Sequence, residues 1–273
     1  MISYITRYTD LSNKPFIIRP KPQEDELLSS WLVRVALAHN TLPVSFMNMH
    51  FPKYKNIIFS RDLDIWAPDD LLEAIQEKSQ YGVDEIKAMT LKSYSGILAP
   101  KIEPNGRNLF ISPIKVRGRR NQSYGQRYCP LCLQEDHILY FRKKWRLSFV
   151  TVCPKHNCYL LDRCSQCFAP ISIYKFHKQR GYDVCYQCAF HLNEAKIVMV
   201  SDNNMSSTQL YDILVSHRLR REDHKISSII FFEKLAEFIR ENEYQVYMNP
   251  DERYVMDLSR LYESIFYKLL VLI

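Results

Sequence analysis

The chain has 273 residues, of which 47% are apolar and 25% are charged, and its formal net charge is +7. This length and composition allow two or three modest domains, each with its own core, and do not indicate disorder. No stretch approaches 18 uninterrupted apolar residues and the first ten residues lack the layout of a secretory signal, so we expect a cytoplasmic protein without membrane association.

The first hundred residues predict a helical domain. Residues 1–20 read as extended, and the prolines at 43 and 52 bracket what reads as a short connection. Between these segments a helix is expected, because apolar residues recur at three- and four-residue spacing. That apolar face comprises Leu28, Trp31, Leu32, Val35 and Leu37 or Ala38.

A second helical pair follows. Asp69 or Asp70 is expected to cap a helix through LLEAIQEKS, and after a glycine-containing turn Asp84 is expected to cap EIKAMTLKSY. Helix, short turn and second helix is the helix-turn-helix pattern, but any helical hairpin shares it. Simple packing or protein contact is therefore favoured, and DNA reading by residues 84–94 in a major groove stays open.

A basic connecting arm is predicted at 101–128, which holds seven Lys or Arg residues against one acidic residue. Residues 129–188 hold nine against four, so the positive excess lies in and just before the cysteine-rich part. Arg117, Arg119 and Arg120 form the most basic stretch. They either belong to a flexible linker or contact phosphates, since guanidinium groups match phosphate oxygens.

All eight cysteines lie in a block of sixty residues, which favours metal binding in a reducing compartment over disulfides. Two CxxC-type modules can be written. Zinc prefers four thiolate or imidazole ligands in a tetrahedron, and a two-residue spacer lets both members of a pair reach one ion. The spacing predicts two Zn²⁺ ions, one held by Cys129, Cys132, Cys153 and His156, the other by Cys164, Cys167, Cys185 and Cys188.

Cys158 is left over by this assignment. It could replace His156 as a ligand, although a small buried thiol is favoured. His137 and His191 do not stand at ligand spacing. Both modules fill all four coordination positions, whereas catalytic zinc keeps one open, and the His-x-Glu of zinc deaminases is absent. We therefore expect the protein not to be an enzyme.

A cluster of cations surrounds Trp145 between the first two ligand pairs. Trp145 itself is expected to belong to a half-buried strand or helix. The cations around it are expected to contact nucleic acid or an acidic partner: Arg142, Lys143, Lys144 and Arg146.

The remainder of the chain predicts further helices, at 205–213, 227–240 and from about 251 to the last residue. The expected fold is α+β, mainly α. It divides into an N-terminal helical domain with a helix-turn-helix-like pair at 1–100, the basic arm at 101–128, tandem zinc-ribbon modules at 129–190 and a C-terminal helical region at 191–273.

Two stretches of this sequence resemble the TniQ family, which includes TnsD-type targeting proteins of bacterial transposons. One runs from Arg19-Pro20 through the acidic pair at 25–26 to Trp31 and Arg34. The other is the order CPxC, Trp145, CPxH, Leu-Leu, Cys over residues 129–167. The resemblance covers about residues 15–190. Asn157 stands where family members often carry Gly.

The resemblance implies a non-enzymatic adaptor that links target recognition to an AAA+ transposition regulator, a TnsC-type ATPase. In shorter family members the target is found by a CRISPR effector ribonucleoprotein with a guide RNA, and in TnsD-type members the protein reads DNA directly. The length of this chain favours the short class, with direct DNA reading as the alternative. DNA is an implied partner, a homodimer stays open, and the protein would join the nucleoid when engaged.

Overall fold

A computed structural model describes residues 11–55, 57–104, 108–114, 125–175 and 181–200, together with Ile229, Phe232, Glu233, Ala236 and Glu237. The described part is mostly helical, with one small two-stranded sheet. No helix within these residues is both long enough and apolar enough to cross a membrane. The predicted helix at 227–240 is described at only these last five residues, and all five are helical. The predicted helices at 205–213 and 251–273 lie outside the described residues.

The helices are short and most of them lie in the first hundred residues. They are α1 Leu28–Ala38, α2 Pro43–His50, α3 Leu63–Trp66, α4 Asp69–Ser79, α5 Val83–Ala88 and α6 Pro130–Glu135. Within the described residues four 3₁₀ turns accompany them, at Pro52–Tyr54, Leu91–Tyr94, Lys143–Arg146 and Leu192–Glu194. The sheet pairs β1 Val152–Cys153 with β2 Cys158–Tyr159 in antiparallel register.

Helix α1 lies where its apolar spacing predicts, with the predicted face buried up to Val35, but Leu37 is partly exposed. The expected connection between the two prolines is wrong: residues 43–50 form helix α2. Pro43 is the first residue of this helix, a position where proline is favourable because its missing N–H would have had no partner inside the helix. The proline therefore starts a helix here.

The α4–α5 pair has the predicted order, but its ends differ. Helix α4 begins after Pro68 and has no side-chain cap. Asp69 and Asp70 lie in its first turn, where the positive end of the helix dipole stabilises their negative charges. Helix α5 begins after Gly82, whose N–H donates to the Glu85 carboxylate at 2.8 Å. The second predicted helix is interrupted at Met89, and a 3₁₀ turn replaces its second half. A specific helix-turn-helix arrangement is not confirmed.

The N-terminal helices enclose an aromatic core around Phe16. Its ring centroid lies 5.3 Å from that of Phe46, 5.1 Å from that of His50 and 6.2 Å from that of Phe51. The contacts with His50 and Phe51 are edge to face. Burying each such side chain contributes about 1.5–3 kcal/mol. The extended segment before α1 is thus fixed to α2 by packing, although it has no regular hydrogen-bonding pattern of its own.

A second core joins the end of the N-terminal region to the cysteine-rich part. Leu91, Tyr94 and Leu98 are buried in the same cluster as Trp145 and the metal-ligand cysteines. Ser30 of α1 makes this junction polar as well as apolar. Its hydroxyl donates to Glu26 at 2.9 Å and accepts from the Phe141 N–H at 2.9 Å and the Tyr182 hydroxyl at 2.8 Å. One donor and two acceptor sites are the full capacity of a hydroxyl group, so the residue is saturated.

Gly125 lies at a close approach of two backbone segments. A Cβ atom at this position would lie 2.0 Å from the Asp162 carbonyl oxygen and 2.3 Å from the Ile171 nitrogen. Both contacts are with backbone, so they cannot be relieved by a side-chain rotation. Only glycine lets the chain that leaves the basic arm enter the cysteine-rich part here.

We predict that Gly125→Ala destabilises the protein by at least about 3 kcal/mol, the upper part of the range for overpacked interiors. Chemical denaturation of the full chain measures the change. Gly82→Ala is the matched control, because its Cβ would lie 3.3 Å from the flexible Glu85 carboxylate and nothing rigid stands closer. Equal stability of the two variants would show that the backbone around Gly125 can move apart at little cost.

Candidate metal centres

The first predicted ligand set forms one compact cluster. The Cys132 and Cys153 sulfurs lie 3.6 Å apart, and the Nδ1 atom of His156 lies 3.3 Å from Cys129 Sγ, 3.3 Å from Cys132 Sγ and 3.6 Å from Cys153 Sγ. The three thiols are buried and the imidazole is partly exposed. The sequence therefore named all four members of this cluster.

The second predicted set is brought together in the same way. Cys164 Sγ lies 3.5 Å from Cys188 Sγ, and Cys167 Sγ lies 3.6 Å from Cys185 Sγ. In each of the two clusters all four ligand atoms lie within 4.8 Å of one another. These separations are far beyond a sulfur–sulfur bond of about 2.05 Å, and the eight cysteines are free thiols.

The geometry of both clusters fits zinc. A Zn–S distance of about 2.3 Å places tetrahedral sulfurs about 3.8 Å apart, and a Zn–N distance of about 2.0 Å places nitrogen about 3.5 Å from sulfur. The separations of 3.3–3.6 Å in the two clusters fall close to these values. Two clusters, one Cys₃His and one Cys₄, could therefore each bind a zinc ion.

Three of the four ligand pairs lie at the tips of short hairpins. Val184 and His191 form a bridge around Cys185–Cys188, and Arg163 and Pro170 form one around Cys164–Cys167. The β1–β2 sheet encloses the third pair. In each tip the residue after the second ligand donates its N–H to the carbonyl of the first ligand, at 2.9–3.0 Å. The residues concerned are Asn157, Phe168 and Ala189.

All three of these residues have left-handed backbone conformations, with φ of 49°, 58° and 63°. A side chain disfavours this region, which glycine occupies freely, by about 1–2 kcal/mol. Asn157 tolerates it best among the three, since asparagine is the non-glycine residue most often found there. The departure from glycine noted in the sequence thus falls on a real conformational requirement.

The remaining pair, Cys129 and Cys132, opens helix α6. Cys129 is the residue before the helix, Pro130 is its first residue, and the Cys132 N–H points at Cys129 Sγ at 3.4 Å. Amide donors at a helix start favour a negatively charged sulfur. The pair therefore obtains its geometry from a helix start rather than from a hairpin tip.

Glu135 contacts a member of the first cluster, His156, and the sequence did not indicate this contact. Its carboxylate lies 2.9 Å from His156 Nε2 and 2.8 Å from Lys155 Nζ. A carboxylate on the far nitrogen orients a ligating imidazole and directs Nδ1 to the metal. The signal that could have found it is its place in α6, one turn after Cys132, but glutamate in a helix is too common to stand out.

Cys158 is fully buried, as the favoured reading of the sequence had it. Its sulfur lies 3.5 Å from that of Cys129, although Cys158 is not a member of the four-ligand cluster. The fourth member of that cluster is His156. His191, one of the two histidines that do not stand at ligand spacing, lies 3.3 Å from the Asp183 carboxylate.

The cations around Trp145 are placed differently from the expectation. The Arg142 guanidinium donates to both oxygens of Asp136 at 2.9 and 2.8 Å and lies over the rings of Tyr140 and Trp145. Lys143 Nζ donates to the Ala88 carbonyl and the Ser93 hydroxyl. Trp145 itself is fully buried.

Arg146 is 1% exposed and pairs with Asp62 and Asp64. Arg142, Lys143 and Arg146 therefore use their charges inside the fold, contrary to the expectation that they face an outside partner. Lys144 is partly buried and donates its backbone N–H to Asp25. Outside contact by Lys144 stays a prediction, and the three arm arginines, Arg117, Arg119 and Arg120, lie outside the described residues.

A family model described as TniQ matches residues 17–160, slightly more than half of the chain. The matched segment begins beside Phe16, contains helices α1 to α6 and ends after the first cluster. The second cluster lies beyond it. No curated protein matches the chain.

We predict that Ala189→Gly stabilises the protein by about 1 kcal/mol, because glycine removes the cost of a side chain at positive φ. Thermal melting of the full chain measures the shift. The same substitution in an exposed helical position, Ala88→Gly in α5, is the matched control and should lower stability by a similar amount. A loss of stability in both variants would contradict the strain assigned to Ala189.

Proposed function

Because the chain belongs to the TniQ family, and is thereby a transposition-associated targeting protein, we propose that it acts as a non-enzymatic adaptor. One of its partners is the AAA+ transposition regulator, a TnsC-type ATPase. The other is the element that finds the target, either a CRISPR effector ribonucleoprotein or DNA. The observation that carries this proposal is the match over 17–160, which covers nearly all of the first core, part of the second core and the first cluster of four candidate ligands.

We also propose that each cluster holds one Zn²⁺ ion as a structural centre. Bound zinc would fix the ligand pairs against one another, and His156 and the seven cysteines at Cys129, Cys132, Cys153, Cys164, Cys167, Cys185 and Cys188 would be its ligands. The support is the chemistry of the donors: four per cluster, all sulfur or imidazole, at tetrahedral separations. Such a saturated set suits a scaffold, because a catalytic ion needs a position for water or substrate.

The surface of the helical hairpin supports protein contact over base reading. Helix α5 is only six residues long, and the 3₁₀ turn after it has Leu91 and Tyr94 buried. The exposed side chains of α5 include Asp84 and Glu85 against one cation, Lys87. Two carboxylates on such a short face would repel the negatively charged phosphates that line a major groove. The adaptor role is therefore favoured over the TnsD-type alternative.

DNA contact through the basic arm is retained in the proposal. Since Arg142, Lys143 and Arg146 are paired inside the fold, the arm arginines and Lys144 become the cations on which such contact depends. Their contribution would be sequence-independent, because guanidinium and ammonium groups bind phosphates rather than base edges. The protein would then lie on DNA beside the regulator without selecting the site itself.

Zinc content tests the metal proposal. We expect two zinc ions per chain by elemental analysis after exhaustive dialysis, one in Cys164→Ser and one in Cys129→Ser, because serine oxygen is a much poorer ligand than thiolate. Cys158→Ser is the matched control and should retain both ions. Two ions in all three variants, or disulfides in the native protein, would remove the proposal.

Co-assembly tests the adaptor proposal. We expect the full chain to elute with the AAA+ regulator encoded beside it when DNA and ATP are present, and to bind DNAs of different sequence with similar affinity. Replacing Arg117, Arg119 and Arg120 by alanine should weaken DNA binding and lower the slope of log affinity against log salt by about 2–3 units, since about 0.9 units are lost for each phosphate contact.

The variant with the three arginines replaced should bind the regulator as well as the native protein does when DNA is absent. This control distinguishes a loss of DNA binding from a loss of regulator binding. Failure to form any complex with the regulator would overturn the adaptor role. Strong preference for one DNA sequence, lost on substitution of Lys87, would instead identify direct reading by α5.

A further inference from the structure

The first cluster has a fifth sulfur beside it. The thiol of Cys158 lies 3.5 Å from Cys129 Sγ, and Cys158 is 0% exposed. Two sulfurs that share one zinc ion lie about 3.8 Å apart. Cys158 therefore stands at the distance from Cys129 that two ligands of the same ion would have, although the fourth member of the cluster is His156.

Backbone pairing directs this thiol to the cluster. Cys158 in β2 lies directly opposite Cys153 in β1, and Cys153 is one of the four candidate ligands. Side chains that lie directly opposite each other in an antiparallel pair project from the same face of the sheet. His156 comes from the turn that joins the two strands. One hairpin thus brings two thiols and one imidazole to the same cluster.

The imidazole and the surplus thiol lie on different sides of the cluster. Nε2 of His156 lies 2.9 Å from the carboxylate of Glu135, and the Glu135 side chain is 48% exposed. Cys158 has no exposed surface and contacts the buried Cys129. The imidazole is therefore the donor on the solvent side, and the surplus thiol lies on the inner side.

Zinc accepts either of the two donor sets that these residues offer. Cys₃His and Cys₄ sets are both used by structural zinc, and both are closed tetrahedra. Exchange of the imidazole for a thiolate leaves the number of ligands unchanged. Because Cys158 already lies beside Cys129, rotation of its side chain is the movement that the exchange requires.

We propose that Cys158 is a reserve ligand of the first cluster. When His156 leaves the ion, the Zn–N bond breaks and a bond from zinc to Cys158 Sγ forms. The thiol proton passes to water, as it does when any cysteine binds zinc, and no electron is transferred. The ion is then held by Cys129, Cys132, Cys153 and Cys158. This inference rests on the proposal that the first cluster holds zinc.

A double-mutant cycle of zinc affinity tests the reserve ligand. The four proteins are the native chain, His156→Ala, Cys158→Ser and the variant with both substitutions, each in competition with a chromophoric zinc chelator. We expect Cys158→Ser to leave the affinity of the native protein unchanged. In the His156→Ala protein the same substitution should lower the affinity of the first cluster at least about tenfold, because serine is a much poorer ligand and ligands of one ion are energetically coupled. The second cluster keeps its four cysteines in all four proteins and is the internal reference.

Cadmium NMR of the metal-loaded full chain identifies the ligands directly, since the cadmium resonance moves with the number of bound thiolates. The native protein and Cys158→Ser should each give one resonance typical of three sulfurs and one nitrogen, and one typical of four sulfurs. In His156→Ala the first of these should be replaced by a second four-sulfur resonance. That resonance should be absent when both residues are substituted.

The outcomes separate this inference from the zinc proposal. A native protein without an ion in the first cluster would remove both. A native protein with two ions, in which His156→Ala loses the first ion or Cys158→Ser has the same effect with and without His156, would overturn the reserve ligand alone. Loss of the first ion through unfolding of His156→Ala also counts against it, because a reserve ligand keeps the ion bound.

Discussion

The convergence of four ligands at each of two points is the constraint on which the cysteine-rich half of this protein depends. The strands here are only two residues long, and the other pairings are single bridges. A hairpin of this size is not stable by itself in water. Each ligand pair lies at the tip of such a hairpin or at the start of a short helix. The second core holds these segments at their sides, and zinc bound as proposed would hold them at their tips.

The second core explains why the helical part and the cysteine-rich part behave as one structure. Leu27 donates its N–H to the Phe141 carbonyl at 3.0 Å, and the Ser30 hydroxyl accepts from Phe141 and Tyr182, both in the cysteine-rich part. Arg146 crosses the same junction to reach Asp62 and Asp64. A charged pair buried to this extent gains little net stability, but removing one member leaves an unpaired charge at a cost of about 3–5 kcal/mol. These contacts therefore fix one relative placement of the two parts.

That placement bears on how a targeting protein can work. Four of the eight Lys and Arg residues in 125–175 have partners inside the fold. Arg127 donates to three backbone carbonyls, and Arg142, Lys143 and Arg146 have partners of their own. Cations that are paired in this way are less available to DNA phosphates, and this is one of the grounds for the proposed adaptor role. The arginine-rich arm between Ile114 and Gly125 carries further cations, on which the proposed DNA contact depends.

The sequence by itself predicted the two sets of candidate ligands that the fold brings together, the first helix and the family. Ligand spacing is a local property, because two residues between ligands allow both to reach one ion in any fold, and the apolar period of α1 needs no partner to be recognised. Tertiary structure decided the rest. Whether Pro43 starts a helix or a loop depends on the packing of Phe46 and His50 against Phe16, and the sequence shows no such contact. Likewise Lys143 and Arg146 look like surface cations until Ser93 and Asp62 are brought beside them from distant positions. Charge and apolarity are written in the chain, but which groups meet is set by long-range packing.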